Sequence, residues 1–304
     1  MIKKVNPVLS MLGLKPSQKA VVFHADDIGM LNSTVTAWTD LADSSAMTSA
    51  SVMAPCPWFP AAAREMSAHK NADVGVHMTL NSEWEKMRYA PLSTSDMKSA
   101  LFDEEGYFPN NTKAVQDHVD PDEVAVELKA QMDRTLAAGV DVTHIDSHMG
   151  TVFHPRLLES YVRVGFAYQV PALVMRANRA KLIEMGFQEE IAGQVEAALD
   201  FIENQGMPLF DSIQMMPLRG ATTPAKRLKL IKKMLEDYGP GLHYLIFHPA
   251  EDSSELHAVA PDWKARAGDY KLLKNPKLDQ IIKDAGITPI GMREVRDAFR
   301  KTLG

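Results

Sequence analysis

The chain holds one cysteine, Cys56, in 304 residues. That excludes an intramolecular disulfide and any cysteine-based zinc cluster, and a reducing cytoplasm is the expected compartment. Basic charge is also short, since 33 Lys and Arg against 39 Asp and Glu leave a formal net charge of -6. The electropositive footprint of nucleic-acid binders is missing, and no nucleic-acid partner is expected. No apolar run is long enough to cross a bilayer, so no membrane partner is expected either. The start, Met1-Ile2-Lys3-Lys4 with an apolar stretch over 8–14, has the outline of a signal peptide. Pro7, the stop at Lys15-Pro16 and the lack of a small-x-small cleavage site argue against export. Internal repeats and low-complexity segments are absent as well, which removes repeat arrays from consideration.

What is present is alternation. Strand-like runs over 21–27, 48–53, 73–80, 142–148, 172–175, 212–216, 243–247 and 288–291 are separated by helix-like stretches. The best-marked helix covers 121–138, with Pro121 at its first position, acids in its first turn and Gly139 at its end. Repeated βα units imply a parallel sheet, because parallel neighbours need crossover connections. Seven or eight such units without a second domain predict an α/β fold: a single distorted (β/α) TIM-like barrel over 1–304. A doubly wound open sheet is the alternative. One interval, about 81–120, far exceeds typical βα loops of roughly 2–6 residues. It carries Trp84, Tyr89, Tyr107 and Phe108 and is expected to be an inserted loop near the active site. A second long interval, 250–275, contains Trp263 and is expected to border the site too.

The strand ends carry the chemistry. The run Val21-Val22-Phe23-His24-Ala25-Asp26-Asp27-Ile28-Gly29 stops in adjacent carboxylates. Two negative charges side by side cost energy unless a cation or a proton neutralises them. Three other runs stop in histidine, at His77, His148 and His248. In a barrel the C-terminal ends of the strands converge on one mouth. Imidazole and carboxylate without thiolate suit a borderline divalent metal, and three protein ligands leave room for water and substrate. In His144-x-Asp146-x-His148 the two histidines are roughly 13 Å apart along a strand. Both cannot hold one ion, so His148 lies at the mouth and His144 is a hydrogen-bonded interior residue. Asp146 between them can orient a ligand. His24, inside its strand, is read as a satisfied core histidine. Arg176 closes the run over 172–175 and is a candidate partner that keeps one carboxylate ionised.

Together these motifs resemble the carbohydrate deacetylases of the YdjC-like (ChbG/HpnK) family, relatives of the polysaccharide deacetylases. The likeness runs from about Ala20 to Val295. It is carried by Ala25-Asp26-Asp27-Ile28-Gly29, Gly75-Val76-His77, Thr143-His144-Ile145-Asp146-Ser147-His148 and Phe247-His248-Pro249. The resemblance implies a divalent metal held by Asp27, His77 and His148. It implies Asp26 as general base, Arg176 as its supporting arginine and His248 as general acid. It also implies that the segment Phe102-Asp103-Glu104-Glu105-Gly106-Tyr107-Phe108 flanks the substrate groove. The chain departs from the family pattern at His24, where asparagine is common, at Met149-Gly150-Thr151 after the last ligand, and at Ala250-Glu251 after Pro249.

The expected activity is metal-dependent removal of an acetyl group from an N-acetylated sugar or a small acylated carbohydrate. Zinc or magnesium is the leading ion, with cobalt, nickel and manganese compatible with the same ligands. A small acetylated carbohydrate is the expected partner, and a homo-oligomer is left open. The rival readings are a metal-dependent sugar isomerase or epimerase and a carbohydrate-binding protein without turnover. Isomerase sites usually carry several acidic ligands, and here only one adjacent pair of acids stands out.

Overall fold

The computed structural model describes residues 5–304; Met1-Ile2-Lys3-Lys4, the start of the signal-like stretch, lie outside them. β1 (Lys19–Ile28) is the spine of a parallel sheet. It is apolar on both faces from Ala20 to Phe23, as a strand covered on both sides must be. One edge pairs in parallel with β6 (Gly241–Phe247), and the other with β2 (Ser49–Val52). Beyond β2 the sheet continues through β3 (Val74–Met78) to β4 (Val142–Ser147), and beyond β6 to β5 (Ser212–Met215). β7 (Ile287–Pro289) pairs with Lys19, Ala20 and Val21, the start of β1. β6 already occupies one edge over those residues, so β7 shares the edge that β2 takes further along.

The sheet rolls into a distorted (β/α) barrel, with seven strands among the described residues. The eighth expected strand, over 172–175, joins only through single parallel bridges, from Ala172 to Ile145 and from Met175 to Phe210. Those bridges close the gap between β4 and β5. Pro171 begins this segment and has no N–H to donate, which limits its share of the ladder. The helix Pro121–Ala137 starts at its proline, and Gly139 with φ of 84° makes the left-handed turn after it.

Side chains of β1 divide by alternation. Val21, Phe23 and Ala25 face outward and pack under the helices. Ala20 and Val22 face inward and meet Leu242, Tyr244 and Phe210. Val8 and Leu9, from the helix Pro7–Met11, close that inner cluster from below. Above it the interior turns polar, with His24, Ser51, His77, His144 and Asp146 all buried. The polar layer therefore lies at the C-terminal ends of the strands, the catalytic end of such barrels.

Two connections shape the mouth. After β3, residues 79–111 run without a helix or a strand beyond the Trp84–Met87 bridge. Arg88 holds this excursion together through Asp103, Glu105 and the Phe108 carbonyl. A short helix, Thr112–His118, follows where only loop was expected; the Asn111 side chain caps it by accepting from the Ala114 amide. The interval 250–275 folds into the helices Ser254–Val259 and Trp263–Leu273. Among the described residues no helix is long and apolar enough to cross a membrane.

Candidate active site

Strand alternation should send Asp26 and Asp27 to opposite faces of the sheet. The pairing of β1 with β2 slips between Ala25 and Ile28, and Asp27 has φ of 66°. Such a bulge turns Asp27 inward beside Asp26. The left-handed conformation costs on the order of 1–3 kcal/mol for a residue other than glycine. Contacts of the carboxylate offset it. Arg266 Nη1 lies 2.6 Å from Asp27 Oδ2, and the His148 and His77 rings meet Oδ1. Burial disfavours this charge, yet Arg266 and then His148 outweigh it and hold the carboxyl well below the usual carboxylate range.

Asp27, His77 and His148 come together at one point. Asp27 Oδ1 is 3.1 Å from His148 Nδ1 and 3.3 Å from His77 Nε2, and the two nitrogens are 3.3 Å apart. A tetrahedral ion with bonds of about 2.0–2.1 Å spaces its ligands by about 3.3–3.4 Å, so this donor set fits a divalent metal. Each ring is held from behind. His77 Nδ1 donates to Asp146 Oδ1 at 2.8 Å, and His148 Nε2, carrying its ring proton there, donates to Glu83 Oε2 at 2.9 Å. A carboxylate behind a ligating histidine fixes its tautomer and ring plane.

The interior under these donors is also paired. His144 Nδ1 meets Thr143 Oγ1 at 3.0 Å, and Nε2 lies 3.3 Å from the Tyr244 hydroxyl. Burial, with His24 nearby, lowers its pKa to about 3, so the ring is neutral. A Cβ at Gly75 would come within 2.5–2.7 Å of that ring, which accounts for glycine there. His24 is more than a core histidine. Its Nε2 is 2.9 Å from Asp146 Oδ2 and 3.0 Å from Asp26 Oδ1. Burial opposes its charge, but Asp146 and Asp26 outweigh burial and raise its pKa. The imidazolium thus ties the floor acid to the carboxylate that orients His77.

His248 sits beside Asp26 because β1 and β6 pair Ala25 with Phe247, one residue earlier on each strand. Its Nε2 is 3.8 Å from Asp26 Oδ2 and 4.0 Å from Asp27 Oδ2. Burial, reinforced by Arg266 against the pull of Asp27, lowers its pKa. The backbone of His248 donates to Asp269 Oδ2 at 3.0 Å. Asp269 is paired with Arg227, and both are fully buried. Arg227 Nη1 also donates to the Pro217 and Ala221 carbonyls, tying the loop after β5 to the strand end that bears His248.

Of the residues singled out in the sequence, Asp26, Asp27, His77, His148 and His248 share one site. Arg176 is elsewhere. It pairs with Glu203 and with Asp211, which accepts from the Leu242 amide at the start of β6. The Met175–Phe210 bridge puts this arginine level with the beginning of β5, at the opposite end from the acids. The arginine at the acidic pair is Arg266, which pairs with Asp27. Its helix hides that role, because its buried positions include Ala265, Arg266, Ala267, Gly268 and Asp269 and form no apolar stripe. Glu83 was also missed; the only signal was an acid in the first turn of an overlong loop.

A cavity of about 640 Å³ opens above the donors. Asp26, Asp27, His148, His248 and Arg266 form its polar end, and Met149, Phe153, Ile213 and Met215 form an apolar wall. Residues 20–284 match the family described as YdjC-like protein. A carbohydrate deacetylase of Thermus thermophilus is 31% identical over 296 residues, covering 96% of this chain and 99% of that protein. A carbohydrate deacetylase of Thermoanaerobacter pseudethanolicus is 23% identical, covering 88% of this chain and 96% of its own length. Among solved structures, a protein of Enterococcus faecalis V583 with a provisional cellobiose-phosphate cleavage description shares the fold. Its TM-score is 0.73 at 21% identity, covering 92% of this chain and 99% of that one.

Proposed function

The chain belongs to the YdjC-like protein family, and from that premise we propose that it is a metal-dependent carbohydrate deacetylase. The substrate is an N-acetylated sugar or a small acylated carbohydrate, and the whole barrel acts as one catalytic domain. The observation that carries this reading is the meeting of Asp27, His77 and His148 donor atoms at the floor of a cavity that also holds Asp26 and His248. Asp27, His77 and His148 would hold the ion. When bound there, a divalent ion acidifies a water molecule and polarises an acetyl carbonyl.

The remaining work falls to side chains. Asp26 accepts the proton of the attacking water, and His24 fixes the carboxylate's other face. His248 delivers a proton to the leaving nitrogen, without which an amide nitrogen departs poorly. Its lowered pKa makes the resting ring neutral. Asp26 Oδ2, 3.8 Å away, is a source for the proton it passes on. Arg266 keeps Asp27 ionised. The proposed setting is the cytoplasm, where the buried free thiol of Cys56 stays reduced.

The test is acetate release from N-acetylated mono-, di- and oligosaccharides, with each divalent ion in turn and with a chelator. Acetate formed only with metal is the expected result. A rearranged sugar without acetate would favour the isomerase, and binding without turnover would favour the inactive carbohydrate binder.

A further inference from the structure

The excursion after β3 reaches the donor cluster through two consecutive residues. Glu83 Oε2 accepts from His148 Nε2 at 2.9 Å, and the Tyr89 hydroxyl donates to the same oxygen at 3.2 Å. Trp84 lies under the Arg266 guanidinium, 5.1 Å from ring centroid to carbon, and Arg266 pairs with Asp27. Two of the three donors are therefore backed from one segment. The segment has little secondary structure to hold it. The Ser82 amide donates to the Pro109 carbonyl, the Tyr89 amide donates to Ser82 Oγ, and Arg88 gathers the rest.

We propose that Glu83 is a positioning residue for the metal ligand His148, and that ion binding and ordering of residues 81–120 are coupled through it. This rests on the reading of Asp27, His77 and His148 as metal ligands. An imidazole that ligates through Nδ1 must keep its single proton on Nε2, and Glu83 is the acceptor for that proton. Without the acceptor the ring is free to turn or to change tautomer. Coupling is reciprocal: if the ordered excursion strengthens ion binding, the bound ion stabilises the excursion by the same factor.

The experiment uses the full chain, with zinc as the probe. Zinc affinity is measured by calorimetry for the wild type, Glu83→Ala and Glu83→Gln, each checked for folding by circular dichroism. In parallel, trypsin cleavage at Lys86, Arg88 and Lys98 is followed with and without zinc. Zinc should slow cleavage in the wild type. Glu83→Ala should lose about 10–100-fold in zinc affinity, the usual worth of such a partner, and zinc should no longer protect its excursion. Glu83→Gln still accepts from Nε2 and should recover most of the affinity. Equal affinities in the wild type and Glu83→Ala would overturn the proposal, and so would a glutamine variant as weak as the alanine one. Should the alanine variant not fold, wild-type cleavage rates unchanged by saturating zinc overturn the coupling on their own. A wild type that binds no divalent ion would overturn the metal reading as well, which sets that failure apart from the others.

Discussion

Loading of the proposed metal centre should depend steeply on pH. Burial opposes a charge on His148, but Glu83 and Asp27 outweigh burial and raise the metal-free imidazole to about 9. An ion bound at Nδ1 must displace that proton. At about pH 7 the displacement costs about two pKa units, ~3 kcal/mol, on the order of 100-fold in apparent affinity. His77 is raised in the same direction, because Asp146 and Asp26 outweigh its burial, so it adds to the effect. Apparent affinity should therefore rise about tenfold from pH 7 to 8 through His148 and level off as pH approaches 9, with His77 steepening the rise. Stability gives an independent reading. The folded pKa of His148 exceeds its unfolded value, so its stabilisation is complete below about 6.5 and is lost as pH rises through about 9. The metal-free protein should lose ~3 kcal/mol from this group across that window. The metal-loaded protein, with His148 already deprotonated, should not. Calorimetry in buffers of different ionisation enthalpy counts the protons released, and denaturant unfolding with and without chelator measures the stability gap. An affinity that is flat between pH 7 and 9, with no proton release, would refute the reasoning.

Asp26→Asn should keep the metal and lose most turnover, because an amide cannot accept the proton of water at neutral pH; unchanged acetate release from the metal-loaded variant would remove Asp26 as the base. His248→Ala should cut hydrolysis of a sugar amide by roughly 10²–10⁴-fold. The same variant should lose far less on an activated ester, whose leaving group needs no proton, and equal losses on both substrates would point to a binding role. Arg227→Leu leaves Asp269 buried without its partner and should cost about 3–5 kcal/mol of stability by denaturant unfolding. A change below about 1 kcal/mol would mean the pair is not the strut its burial implies.

Much of the barrel was legible because its signals are local. A buried parallel strand needs a short apolar run, and a βα unit needs helix stops such as Pro121 and Gly139. The ends of β1, β3, β4 and β6 announced themselves by acids and histidines where an apolar run stops. The run over 172–175 looked like another strand by composition, yet single bridges were all it formed. Strand pairing depends on what lies alongside, and composition does not carry that information.

The site shows the same division. Residue types and the two-residue period of β4 made Asp146 a candidate to orient a neighbouring histidine and placed His144 deeper in the barrel. They could not make Asp27 face inward, because its bulge exists only in register with β2. Nor could they tell Arg176 from Arg266. One lies at the foot of β5 and the other in a helix far along the chain, and only packing brings the second against Asp27. The sequence alone determined which chemistry the strand ends could perform, since that follows from side-chain type and spacing. The tertiary structure decided which charges support it, because a partner such as Arg266, Glu83 or His24 is defined by distance across the barrel.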